Sequence, residues 1–385
     1  MSTGKAIFLD AARPHVALAS YPRSGNSLTR ALLENLTATH TGSDFCRLDA
    51  VKNDGVVEGA WGKGETVHDS RVWIIKTHSR FGAGPPGAFA TFTPATVILL
   101  VRNPLRVAVS FWSFVLSDER QAQTVPAQTF AQFPLVWDSF VTSVSRAWQA
   151  FHRFWLARMQ WQPVLVLNYE DVSSHGGESY GRAVNNLHRF LYSSRSGVDA
   201  AEARAARHRA SCLQAARPEA RSSFYAPRPK SDDEGGAYTP AQRSRMLSTA
   251  RLELCILGYA GELGLACSEE ERRALELGRV AALLPRDRGS TSSVESMGSS
   301  ALELNSGGCR AVAAGGAGPS SMQCPFKAEQ MDRHGTKATS ERGLLHHPFQ
   351  ALACVRQAAR ARGVNVSAWD HVPTGPQPPL VYSRG

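Results

Sequence analysis

The amino-acid sequence predicts an α/β fold with a central, mainly parallel sheet, followed by a disordered C-terminal tail. Three observations carry this expectation. Four near-continuous apolar runs, at 15–21, 72–78, 95–102 and 163–170, alternate with amphipathic stretches. The runs lack in-out alternation, as strands covered on both faces do. After Cys267 the composition turns to Ser, Gly and Ala without periodicity.

The elements follow in order. "HVALASY" (15–21) is the first strand, and the stretch 26–38 after it has helical apolar spacing. "VWIIKTH" (72–78) and "ATVILLVR" (95–102) are the next two strands, the latter leading into a helix at 104–116. A helix at 129–159 carries a Trp/Phe stripe at i, i+3, i+4 spacing, the mark of core packing before that of an acceptor cleft. "PVLVLNYE" (163–170) is the last strand, followed by helices at 180–192 and, rich in arginine, at 201–221. The closing helix, 240–258, opens with Thr239-Pro240, a cap followed by proline at the first helical position. Residues 1–266 therefore form the expected domain and 267–385 a low-complexity, disordered tail, with one short basic helix at 346–363.

Composition narrows the classes. The 385 residues, 43% of them hydrophobic, suffice for a substantial core. A net charge of +10 favours anionic partners: phosphate or sulfate esters, acidic glycans, nucleic acid or an anionic membrane surface. The most apolar window, 96–116, is interrupted by Arg102, Pro104 and Arg106, so no transmembrane helix is expected. Asp10 and Arg13 break the N-terminal apolar patch, which makes a poor signal peptide. Seven cysteines without a C-x-x-C pair argue against a disulfide scaffold and a structural zinc site.

The stretch "SYPRSGNS" (20–27) joins the first strand to the first helix. A glycine-containing turn there presents backbone N–H groups at the positive end of the helix dipole, a site for phosphate or sulfate. Arg23 adds a fork of donors, and Ser24, Asn26 and Ser27 add hydroxyls and an amide around Gly25. The plain alternative is a strand–helix connection with a capping serine. No G-x-x-x-x-G-K-[ST] pattern occurs, which removes the main support for nucleoside-triphosphate chemistry.

Two more segments carry polar groups at strand ends. "IIKTHSR" (74–80) places Lys76 and His78 on one side of a strand and Thr77 on the other. Carboxyl ends of parallel strands are where open α/β sheets bind ligands. "LLVRNPLRVAVSFWSF" (99–114) ends a strand at Arg102 and carries Ser110 eight residues later on the following helix. Alone, Ser110 is an ordinary helix residue; with the other segments it completes a second anion grip.

These three segments, in this order, resemble the sulfotransferases that use 3′-phosphoadenylyl sulfate (PAPS). The turn resembles their 5′-phosphosulfate loop, "KTH" their catalytic strand end, and "RNP…AVS" their 3′-phosphate segment. The chain is most similar to the sulfotransferase domain of WSC-domain-containing sulfotransferases. "HTGSDF" (40–45), "NYEDV" (168–172) and "FYAPRPKSDDEGGAYTP" (224–240) support this, over roughly residues 15–260, without a cysteine-rich WSC module.

The resemblance implies a P-loop-like three-layer sandwich and in-line transfer of a sulfuryl group from PAPS to an acceptor hydroxyl, with no metal. His78 is then the general base, and Arg23 and Lys76 stabilise charge on the sulfonate and the leaving phosphate. Arg102 and Ser110 hold the 3′-phosphate, with Arg228 or Lys230 in place of a family C-terminal run that this chain lacks. Arg23 stands where cytosolic members carry Lys, so it clamps charge without donating a proton. Leu28 replaces the adenine-stacking Trp, leaving Tyr169 as the adenine neighbour.

Two other classes remain open at this stage. A nucleotide kinase needs a loop lysine and a Mg²⁺ carboxylate, for which Glu170 and Asp171 are the candidates. A basic binding protein for nucleic acid or acidic glycan could use the helix at 201–221, although Glu202 and Glu219 suit a solvated face better. Under the favoured reading nucleic acid is not a partner, and the acceptor is a glycan or glycoprotein hydroxyl. The compartment is cytoplasmic, or Golgi if an anchor precedes this chain. Sequons occur at Asn35 and Asn365, and Asn35 is expected on a buried helix side.

Overall fold

The computed structural model describes residues 6–44, 64, 67–78, 92–116, 130–131, 134–174, 177–192, 198–215, 234–276 and 280. Arg228, Lys230 and the expected tail apart from 267–276 and 280 lie outside these residues. Five strands form one sheet: β1 (Val16–Ser20), β2 (Gly42–Ser43), β3 (Ile74–Thr77), β4 (Thr96–Val101) and β5 (Val164–Asn168). Their order is β2-β3-β1-β4-β5, and every neighbouring pair is parallel. The chain thus leaves β1 toward one edge and then returns to build the other, so the carboxyl end of β1 is a topological switch point. The four apolar runs are strands; β2 is too short for its periodicity to be read.

The helices are α1 (Asn26–Thr37), α2 (Pro104–Leu116), α3 (Pro134–Ala157), α4 (Tyr169–Ser173), α5 (Glu178–Leu191) and α6 (Ala200–Ala215). After these come α7 (Glu234–Ala237), α8 (Pro240–Thr249), α9 (Arg251–Ile256), α10 (Ala260–Leu263) and α11 (Glu269–Arg273). Alternate residues of β1 divide the core between two faces, as strand geometry requires. Val16 and Leu18 pack with Leu32, Leu33 and Leu36 of α1 and with Val184 and Leu187 of α5. Ala17, Ala19 and the adjoining Tyr21 pack with α2, α3, α8 and α9. Helices therefore cover both faces of the sheet, making a three-layer α/β sandwich.

The Trp/Phe stripe of α3 is core: Trp148, Phe151 and Trp155 are fully buried. Asn35 is exposed, contrary to expectation, because Leu32, Leu33 and Leu36 take the inward face of α1. The arginine-rich helix is partly used in packing. Ala206 and Ala210 are buried, Arg209 donates to the Leu36 carbonyl at 2.7 Å, and Glu202 forms a bidentate pair with Arg13 at 2.8 and 2.6 Å. Packing also runs on past residue 266. A disulfide joins Cys255 to Cys267, α11 begins with a capping box at Ser268, and Ala274 and Val280 are buried in the main core.

Candidate active site at the carboxyl end of the sheet

Ser20 closes β1, and the turn to α1 reverses within five residues. Such a turn needs left-handed backbone, and two residues supply it: Arg23 with φ 69° and Gly25 with φ 92°. The first is a non-glycine residue in a region costing roughly 1 kcal/mol or more, strain of the kind kept at functional sites. Gly25 has a second reason to lack a side chain. A Cβ there would lie 2.1 Å from Cδ2 of Tyr169, the first residue of α4. The loop is thus seated against the residue that follows β5.

The strand ends are tied to this loop. Arg102, one residue past β4, donates from Nη1 to the Arg23 carbonyl at 2.7 Å, and its guanidinium lies 4.4 Å from the centre of the Tyr169 ring. Arg23 in turn donates from Nε to Ser110 Oγ at 3.2 Å and lies over Phe114. The eight-residue spacing therefore places Arg102 and Ser110 on either side of Arg23: one holds its backbone, the other its side chain. The Trp148 indole donates to the Arg102 carbonyl at 3.2 Å, fixing the strand end from α3.

On the other side of β1, His78 follows β3. Its Nδ1 lies 2.6 Å from the Ser20 carbonyl oxygen and 3.4 Å from Ser20 Oγ, which also accepts from Asn26 Nδ2 at 2.6 Å. Lys76 is half-buried on the same side of β3, and Thr77 is buried on the opposite one. Asp44, just past β2, donates its backbone N–H to the Lys76 carbonyl at 3.1 Å. Burial pushes its carboxyl group up from the ordinary aspartate value, against a Thr77 hydrogen bond and the nearby Lys76 charge.

The structure thus brings together Arg23, Ser24, Gly25, Asn26, Ser27, Lys76, His78, Arg102, Ser110 and Tyr169 at one end of the sheet. Two groups there fit an anion. Ser24 is fully buried, and its Oγ has no hydrogen-bond partner among the described residues. Arg102 Nε is likewise buried and unpartnered among them. A donor set of hydroxyl, guanidinium and helix N-terminus suits a phosphate or sulfonate.

Two carboxylates near the site have other work. Glu34 is buried on α1, accepting from the Thr41 N–H at 2.9 Å and its hydroxyl at 2.7 Å. Glu170 accepts from the Asn103 N–H at 3.2 Å and from the Tyr259 hydroxyl at 2.7 Å. Burial, the dominant influence, raises its carboxyl above the ordinary value. Sequence reading did not single out Asn103, Tyr259 or Glu262 as supports, because their contacts join distant parts of the chain. Among the described residues, one cluster of potential metal ligands occurs, Cys255, Cys267 and Glu271, and its two cysteines are disulfide-bonded.

Comparison with known proteins finds similarity over the region that carries this site. Residues 13–191 match the family described as "Sulfotransferase domain". WSCD family member CG9164 of Drosophila melanogaster is 30% identical over 159 residues, covering 41% of this chain and 45% of that protein. WSCD family member GA21586 of Drosophila pseudoobscura pseudoobscura is also 30% identical over 159 residues, covering 41% of this chain and 46% of that protein. The matched stretch thus spans a little under half the length of these curated relatives, and no solved structure matches. Among the described residues, no helix is long and apolar enough to cross a membrane. The matched region contains the strained loop, both flanking strand ends and Tyr169, and it is through this region that the chain is similar to the sulfotransferase-domain family.

Proposed function

We propose that this chain transfers a sulfuryl group from PAPS to an acceptor hydroxyl. The reading rests on one observation: a strained loop, a pair of arginines and a histidine meet at the switch point of a parallel sheet. Ser24, Gly25, Asn26 and Ser27 would cradle the 5′-phosphosulfate, with Arg23 and Lys76 neutralising the charge that grows on the bridging oxygen. Arg102 and Ser110 would take the 3′-phosphate, joined by Arg228 or Lys230 from beyond the described residues. Tyr169 is the adenine neighbour in this reading, besides its packing against Gly25 and Arg102.

His78 is the base. The Ser20 carbonyl can only accept, so the 2.6 Å contact requires the proton on Nδ1 and leaves the lone pair of the neutral ring on Nε2. That nitrogen takes the acceptor's proton as its oxygen attacks sulfur in line with the departing phosphate. A glycan hydroxyl is the acceptor class that the WSC-type resemblance implies. The proposed division is a sulfotransferase domain over 1–266 followed by a tail, with described packing that reaches past that boundary to Ala274 and Val280.

The test is ligand discrimination followed by turnover. PAP, the desulfated product, should raise the melting temperature by binding the native state, and AMP should do so much less. A labelled-PAPS screen over glycans, phenols and tyrosine peptides should label glycans. Equal shifts from PAP and AMP would remove the 3′-phosphate assignment, and labelling confined to phenols would remove the glycan.

A further inference from the structure

The Cys255–Cys267 disulfide closes a segment that carries two side chains reaching back to the site. Tyr259 donates its hydroxyl to Glu170 Oε2 at 2.7 Å. Glu262 accepts from Asn103 Nδ2 at 2.9 Å and pairs with Arg106 at 3.4 Å. The other oxygen of Glu170 accepts the Asn103 N–H at 3.2 Å, so the four residues form one connected network. Asn103 directly follows Arg102, and Glu170 directly follows Tyr169. The segment therefore holds the neighbours of both groups that face the loop.

The disulfide fixes this segment at its two ends. Cys255 is fully buried on α9, with Leu254 and Ile256 packed beside it. Cys267 stands just before α11, whose Glu271 makes a bidentate pair with Arg251 at 2.8 and 3.0 Å. Arg251 also donates to the Ala266 carbonyl at 2.9 Å. Between the anchors the chain turns through Gly258 (φ 84°) and Gly264 (φ 68°), conformations that glycine adopts without strain.

We propose that the segment closed by Cys255 and Cys267 is a positioning strap for the donor site, with Tyr259 and Glu262 setting the placement of Arg102 and Tyr169 through Glu170 and Asn103. Tyr259, Glu262 and Glu170 are positioning residues in this account: they touch other side chains and the backbone, and the reacting groups only through them. With the disulfide open, the segment gains freedom, and Arg102 loses its register with the loop while the rest of the sheet is unchanged. Binding of the extra phosphate then depends on an oxidised Cys255–Cys267 pair. The inference rests on the PAPS reading of the site.

The experiment compares PAP and AMP affinities of the full-length chain, in its oxidised form and after reduction with a phosphine, by titration calorimetry. Reduction, and separately the Cys255→Ala/Cys267→Ala double variant, should lower PAP affinity about ten-fold, near the worth of one charged hydrogen bond, and leave AMP affinity within two-fold. Tyr259→Phe keeps the ring and the fold and should produce part of the same selective loss. Reoxidation should restore the wild-type ratio. An unchanged PAP-to-AMP ratio in both the reduced protein and Tyr259→Phe overturns the strap, as does a parallel loss of both ligands. Failure of the oxidised wild type to prefer PAP over AMP instead overturns the donor reading, and the strap's role with it.

Discussion

Nδ1 of His78 lies 2.6 Å from the carbonyl oxygen of Ser20, the last residue of the central strand. The bond joins the ends of two parallel strands and fixes the ring where the turn to α1 begins. It sets both orientation and tautomer, the two properties a base needs before substrate arrives. His78→Ala should therefore lower turnover by roughly 10²–10⁴ while PAP affinity stays within a few-fold. In the wild type, activity should rise with pH as the imidazole loses its proton, and that limb should vanish in the variant. If the folded variant turns over normally, the base lies elsewhere, and Asp44 beside Lys76 is the carboxylate to test next.

Arg102 should separate ground-state recognition from chemistry. Its side chain grips the Arg23 carbonyl and stacks on Tyr169, so Arg102→Ala removes a charge and also loosens the loop. Arg102→Lys keeps the charge but not the planar fork. The alanine variant should abolish most of the preference for PAP over AMP, and lysine should restore only part of it. Full restoration by lysine would show that charge alone matters there and that the stacked geometry does not.

Gly25 is under two constraints that can be separated. Gly25→Ala meets a left-handed φ of 92° and the Tyr169 ring 2.1 Å from its new carbon. The backbone part costs about 1 kcal/mol, and the clash adds to it. Adding Tyr169→Ala should recover the clash but not the φ penalty, giving a non-additive double variant. Strict additivity in chemical denaturation would mean that the loop moves away from Tyr169 at no cost.

Sequence legibility followed locality. The apolar runs of β1, β3 and β4 were readable because both faces are covered, and β5 because it too is almost wholly apolar. The loop was readable because Arg23, Ser24 and Gly25 are adjacent in the chain. Less accessible was that Ser110 pairs with Arg23, since helix residues eight past a strand end point inward only once the layers are stacked. The strap was not legible at all: Tyr259 and Glu170 are joined by the fold, and a lone cysteine spacing of 12 carries no motif. Asn35 was misplaced by a single position on α1, which is enough to move a side chain to another face of a helix.

The fold boundary can be tested by truncation. Ending the chain after 266 removes Cys267, α11 and the buried Ala274 and Val280, whereas ending it after 280 keeps them. The shorter fragment should lose about 3 kcal/mol from the missing disulfide loop alone. The longer one should melt with the full-length protein. Equal melting temperatures for both fragments would return the boundary to 266.

His152 supplies a pH dependence apart from chemistry. It is fully buried on α3 beside Trp148, whose carbonyl accepts from its Nδ1 at 2.7 Å, while Nε2 has no hydrogen-bond partner among the described residues. Burial, the dominant cause, lowers its pKa to about 3, far below the ordinary value of 6.5. Between those values the unfolded chain binds a proton that the folded chain does not, so stability falls as pH falls. The contribution is fully present above 6.5 and declines by about 1.4 kcal/mol per pH unit below it, until the folded form also protonates near 3. Asp44 and Glu170 act in the opposite sense, because their raised values make the folded state hold protons longest as pH rises. The difference between wild type and His152→Leu isolates the histidine. Leucine should flatten the acid-side loss of melting temperature between pH 6.5 and 4.5, at the cost of the Trp148 hydrogen bond at all pH values. Parallel curves for the two proteins across that range would mean that His152 takes up its proton inside the fold at its ordinary pKa.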